Sequence, residues 1–297
     1  MNKQIEFSIP DFYGYAPLII HLIQLMIEQP EKFNEDVKIG SCYGSFPCTW
    51  NGGRGTDDKR FIKEDVEVAT KFLNENGITI RHTFTNCLLE ECDLNDTLGN
   101  LILNTTKEAQ TLKNDVNVGT EVMEKYIKEN YPEFNVILST TMCEKDINVI
   151  NKKTENEILV LDYTFNNDFE RLKQLKNPNN IEILANEKCH DNCPARRKHY
   201  EGISKSNLKM QTDENDILGC VYKDNEMNYY KTTTTRKHHI TLEDIRNKYL
   251  PLGLNKFKIV GRNMTPLYCI EGYCEYLVRP EYKNEIRYEL LKSYFGI

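Results

Sequence analysis

Short runs of β-branched and leucine residues alternate with longer segments whose apolar positions recur at helical spacing, from one end of the chain to the other. That alternation is the pattern of a parallel sheet with crossover helices. The strand candidates are Glu6 to Pro10, Asp36 to Gly40, Ile78 to Phe84, Asp115 to Val118, Asn135 to Leu138, Ile158 to Leu161, Ile181 to Leu184 and Phe257 to Val260. Between the first two lies the longest apolar stretch, Ala16 to Ile27, interrupted by His21 and Gln24, which reads as a buried helix with Pro17 in its first turn. A second helix is expected to begin near Asp58, to place Ile62, Val66, Ala69 and Leu73 on one face, and to stop at Asn76-Gly77. Glu121 to Glu129 reads as another. Asn167 to Glu170 matches a capping box for a helix ended by Pro178, Thr241 to Asp244 matches a second box, and a C-terminal helix starts at Pro280.

Eight strands and seven or eight helices predict a (β/α)8 barrel, and 297 residues suit a fold that takes about 250. No linker, repeat or second boundary interrupts the pattern, so residues 1–297 read as a single domain. Residues 204–237, between strands seven and eight, read as an irregular insert with a hairpin near Asp224-Asn225.

Composition narrows the function classes. A hydrophobic fraction of 39% with 28% charged residues is that of a folded chain. No run of 18 apolar residues offers a membrane span, and the N-terminus lacks a signal-peptide pattern. The expected location is cytoplasmic, where the ten cysteines stay reduced and serve as buried residues or metal ligands. The net charge of -7 argues against wholesale nucleic-acid binding, although Lys188 to Lys209 carries six Lys/Arg against Asp191 and Glu201.

Catalytic groups of such barrels project from the C-terminal ends of the strands. Those positions hold Asp11 and Tyr13, Ser41 and Cys42, Thr85 to Cys87, Ser139 to Thr141, Asp162, Asn186 and Glu187, and Gly261 and Arg262. The densest chemistry is NEKCHDNCPARRKHY, residues 186–200. Its Cys189 and Cys193 are close enough in sequence to share a metal, and Pro194 follows the second cysteine as in many iron–sulfur loops. Structural zinc uses the same spacing, and so do two unligated thiols.

IEILANEKC with the following CPARRKHY, and FKIVGR with the downstream YLVRPEY, resemble the collagenase-like family-32 peptidases and their iron–sulfur relatives, which include tRNA- and rRNA-modifying and anaerobic ubiquinone-hydroxylation proteins. LSTT and VLDYTFN extend the likeness over roughly residues 78–290. The resemblance implies a β/α barrel and, as in several subfamilies, a 4Fe-4S cluster. Carried over by position, Cys189 and Cys193 match cluster ligands, and Cys42 or Cys48 resembles an early ligand. Cys143 and Cys220 are the candidates for the fourth. The family's Tyr-Ser-Gly segment near these cysteines is missing here.

The loop YGSFPCTWNGGRG contains Trp50, Asn51 and Arg54, and its glycines and arginine suit an anion, or else a turn packed on the tryptophan. Glu187, His199 and Arg262 are the expected catalytic groups, for proton transfer and anion pairing. Trp50, Asn51, Arg54, Asn86, Thr140, Asp162, Asn186, Arg196 and Tyr200 are the expected substrate contacts. Three functions compete: an iron–sulfur-dependent modifying enzyme served by an electron donor, a peptidase, and a barrel that binds RNA or a partner through Arg196, Arg197 and Lys198. The peptidase reading lacks an HExxH or GxSxG motif.

Overall fold

The computed structural model describes residues 4–53, 61–209 and 230–296. Its centre is a closed parallel barrel in which each strand pairs with the next and β8 closes on β1. The strands are β1 (Ile5–Pro10), β2 (Val37–Gly44), β3 (Thr79–Phe84), β4 (Asp115–Val118), β5 (Asn135–Leu138), β6 (Ile158–Val160), β7 (Ile181–Leu184) and β8 (Lys256–Lys258). The fold is therefore the (β/α)8 barrel that the alternating pattern predicts, down to the short fourth strand.

The helices show where local pattern and structure part. The first runs Phe12–Glu28, four residues earlier than Ala16, through a non-helical Tyr15. In Lys63–Glu75, Val66, Ala69 and Leu73 are buried as expected, whereas Ile62 is the exposed N-cap residue. Its expected start near Asp58 lies outside the described residues. The box at Asn167 resolves differently: Asn167 takes a left-handed φ of 63°, and Asp168 is the residue that caps the four-residue helix Phe169–Leu172. Thr241 and Asp244 do form a reciprocal capping box. The basic run forms the helix Arg196–Asn207, so the segment expected as insert begins as regular structure. Its proposed hairpin lies outside the described residues.

Two apolar compartments follow from strand alternation. Outward residues such as Phe7, Ile9, Ile80, Phe84, Phe257 and Ile259 belong to the large cluster shared with the helices. A small cluster of Ile137, Val160, Tyr163, Leu184 and Val260 fills one side of the barrel interior. The other side is charged. Arg81 on β3 meets Glu182 on β7 at 2.7 and 2.8 Å, a contact between strands that are not neighbours and that therefore crosses the interior. Arg81 Nε also lies 3.2 Å from Asp115 on β4, and the Ser8 hydroxyl donates to Glu182 while accepting from Ser41 at 2.7 Å. Burial pushes the Glu182 carboxyl up, but Arg81, Lys258 and the Ser8 hydrogen bond outweigh it and hold Glu182 below the usual range.

A buried ion pair is costly to break because the surviving charge has no water to return to. Glu182→Leu should destabilise the fold by about 3–5 kcal/mol in chemical denaturation. Adding Arg81→Met should recover part of that loss; a double variant no more stable than the single one would contradict the pairing argument.

Candidate functional site

The barrel interior opens at the C-terminal ends of its strands into a cavity of about 60 Å³. Its wall is built from Tyr43, Thr83, Thr85, Asn117, Ser139, Thr140, Glu187, Tyr200, Lys258 and Arg262, with Gly53 at the edge. Glu187 and Arg262 thus share one mouth with Thr140 and Tyr200. The volume accommodates a few ordered waters or a ligand of few heavy atoms.

Arg262 follows β8 and is 7% exposed. Its guanidinium donates to Asn51 Oδ1 at 3.2 Å, to the Gly52 carbonyl at 2.7 Å and to the Thr83 hydroxyl. The loop after β2 can supply that carbonyl because Gly53 turns the chain at φ 76°, a conformation that disfavours a side chain. Asn51 is therefore a support for Arg262. Arg54 lies outside the described residues.

Glu187 follows β7 and pairs with Arg196 Nη1 at 3.2 Å, while its other oxygen accepts the Cys189 amide at 3.1 Å. Arg196 itself is buried, lying over the rings of Tyr163 and Tyr200 at 4.4 and 5.0 Å and donating to the Cys189 sulfur at 3.2 Å. Burial lowers its pKa, but Tyr200, Glu187, Cys189 and Asp162 overcome this and raise it. The basic run is thus not one patch. Successive helical residues point in different directions, so Arg196 faces inward while Arg197 and Lys198 are exposed, Arg197 pairing with Glu201 at 2.8 Å.

Several expected contacts serve the scaffold instead. Trp50 is fully buried between Phe84 and Tyr126, donates to the Asp93 carbonyl at 2.8 Å, and leaves no space for a side chain at Gly99. Asn86 bonds the Thr49 and Ser204 carbonyls and the Leu88 amide. Asn186 holds both the amide and the carbonyl of Val260. Asp162 caps the turn at Thr164, with its second oxygen 3.8 Å from Arg196 Nε. His199 is half-buried on its helix and does not line the cavity.

The cysteines do not assemble a ligand set. Among the described residues, no three His, Cys, Asp or Glu side chains are placed to hold a metal. Cys42 packs in the apolar layer between strands and helices, and burial pushes its thiol far up. Cys48 lies against the same layer, its thiol pushed up to about 12 by burial and by Asp96. Cys143, Cys189 and Cys193 are half-buried on loops of the rim, and burial raises the Cys143 thiol. Cys220 lies outside the described residues. The described cysteines are thus not gathered as the four ligands of a cluster.

The residue that strand-end reasoning misses is Lys258. It lies within β8 rather than after it, and alternation in Lys256-Phe257-Lys258-Ile259 is the signal that turns it inward. Lys258 is 7% exposed, and its ammonium position sits 3.8 Å from the centroid of the Tyr43 ring. It has no hydrogen-bond or ion-pair partner among the described residues. Burial, with Arg81 and Arg262 nearby, outweighs Glu182 and Asp115 and lowers its pKa to about 7. Two further wall atoms, Asn117 Oδ1 and Thr85 Oγ1, are buried without partners among the described residues. Buried polar groups are normally bonded, so these atoms await water or a ligand.

Neither the family models nor the curated proteins include a match to this chain. Among solved structures the chain is similar to a U32 peptidase, with a TM-score of 0.47 and 10% identity over 75% of this chain and 85% of that one. The likeness is distant and brings no residue assignment. Among the described residues no helix is long and apolar enough to cross a membrane.

The low pKa of Lys258 has a consequence for stability. The native chain gives up this proton near pH 7 and the unfolded chain only near about 10. Between those values the unfolded state binds more protons, so this group makes the fold more stable as pH rises. Lys258→Met removes the burial penalty. The variant should gain most over the parent below pH 7, and the gain should shrink towards pH 10, in thermal melts across that range. A gain that does not change with pH would contradict the shift.

Proposed function

We propose that this chain is an enzyme whose active site is the cavity at the barrel mouth, and that its substrate is a small anion. One observation carries the reading: a buried amine, Lys258, with no hydrogen bond or ion pair among the described residues, shares a cavity of about 60 Å³ with the Arg262 guanidinium and the Glu187 carboxylate. Burying such charges costs stability, and sites that accept the cost are candidates for chemistry. Arg262 supplies planar donors for a carboxylate or phosphate-like group. Its supports at Asn51, Gly52 and Thr83 fix its plane before the ligand arrives, which lowers the ordering cost of binding. Asn117 and Thr85 offer acceptors for a ligand hydroxyl.

Proton transfer falls to Lys258 and Glu187. A group that titrates near neutral pH is populated in both protonation states and can both give and take a proton. Glu187 lines the same cavity as a carboxylate held by Arg196. The cavity takes a small molecule or the tip of a larger one.

Oxalate, a compact dianion, is a suitable probe. At 100 times its Kd it should stabilise the protein by about 2.7 kcal/mol in thermal unfolding, with the effect lost in Arg262→Met and weakened about tenfold or more in affinity in Arg262→Lys. Glu187→Gln should leave oxalate binding largely intact. Equal stabilisation of the parent and Arg262→Met would overturn the anion reading. Stoichiometric iron in protein purified without oxygen, lost on Cys193→Ala, would replace it with iron–sulfur chemistry.

A further inference from the structure

We infer that Lys258 is a covalent nucleophile, and that the substrate class of this site is a small 2-oxo acid, bound through an imine between its carbonyl carbon and the Lys258 nitrogen. The inference rests on the anion-site reading above and adds to it the electrophile. A carboxylate alone gives Lys258 no task, because an amine beside a bound anion would simply pair with it. Three features of the wall point further.

The first is the isolation of the amine. Lys258 is buried on the strand that closes the barrel, its position fixed by the rigid sheet, and it makes no hydrogen bond or ion pair among the described residues. A structural lysine in a barrel interior would be expected to sit on Glu182 or Asp115, yet those carboxylates are engaged by Arg81. The second is burial of the amine inside the barrel, which disfavours an ammonium; Arg81 and Arg262 add to it, Glu182 and Asp115 oppose it, and the balance favours the neutral amine with a lone pair. The third is Asn117 Oδ1, an acceptor in the same wall that has no partner among the described residues. A ground-state carbonyl oxygen cannot donate to an amide oxygen, whereas the hydroxyl of a carbinolamine can. Such an acceptor favours the species on the way to the imine over the free oxo acid.

The chemistry balances without an oxidant or reductant. The Lys258 lone pair forms the C–N bond, and the carbonyl π pair moves to oxygen, which takes up a proton. The nitrogen then loses a proton to Glu187, and the carbinolamine C–O bond breaks as the same proton returns to the departing hydroxyl. Amine, carbonyl and the one proton that the oxygen takes up from solvent are consumed, and the protonated imine and one water are formed. Protonated, the imine withdraws electrons from the neighbouring carbon, the usual purpose of such an adduct. The small volume limits the ligand to a short chain, and Arg262 requires its carboxylate.

Borohydride trapping tests this with pyruvate and glyoxylate as probes. Hydride delivered to the imine carbon, with a solvent proton on nitrogen, leaves a stable secondary amine. Peptide mapping by mass spectrometry should then find Lys258 carrying one pyruvic acid less one oxygen atom, at a rate about tenfold or more above surface lysines. Lys258→Met should lose that adduct, and Arg262→Met should slow its formation about tenfold or more while the surface background stays unchanged. Absence of a Lys258 adduct while oxalate still stabilises the fold through Arg262 would overturn the covalent inference and leave the anion site standing. Absence of both would overturn both. An adduct on Lys258 that forms equally fast in Arg262→Met would overturn the 2-oxo acid assignment, because the carboxylate would then play no part.

Discussion

The ion pair between Arg81 and Glu182 is the constraint on which the rest of the barrel depends. It joins β3 to β7 through the interior, where neither group can be hydrated, and Asp115 and Ser8 complete its hydrogen bonds. Because those carboxylates are engaged by Arg81, Lys258 on the closing strand makes no ion pair with them, and the charge of Glu182 only partly offsets the burial of its ammonium. Lys258 therefore faces the cavity with its charge disfavoured. The strength of one buried contact thus sets the chemical character of a group one layer above it.

The interior is divided accordingly. Ile137, Val160, Leu184 and Val260 gather apolar side chains on the β5 to β8 side, whereas Ser8, Arg81 and Asp115 on the other side join Glu182 of β7 in a polar cluster. A fully apolar filling would be more stable by ordinary packing arguments. The cavity opens above the boundary between the two halves, so a ligand there meets Leu184 and Val260 on one side and Thr83, Asn117 and Arg262 on the other. Arg196 plays the matching role at the rim, anchoring Glu187 between two tyrosine rings and so keeping a carboxylate at the mouth.

The barrel was legible in the sequence because its strands are short β-branched runs separated by helical periodicity, a signal that depends on local pattern alone. Glu187, Arg262 and Thr140 were legible as mouth residues for the same reason, since parallel strands all end on one face. The fate of Trp50, Asn86 and Asn186 was not, because polarity at a strand end does not reveal whether a side chain bonds its own backbone or faces a cavity. Arg196 misled for a related reason: three consecutive basic residues read as a patch until the helix turns one of them inward. Lys258 escaped because attention to residues beyond the strands passes over those within them. Its inward register depends on pairing with β1 and β7, which is a long-range fact.

The central claim is that Lys258 is a neutral-range amine poised in the barrel mouth. The direct measurement is its titration, followed by NMR of a carbon-labelled lysine side chain with Lys258→Met to assign the signal. The account predicts a midpoint near 7 for that one lysine. A midpoint at about 10.4, the ordinary lysine value, would contradict it.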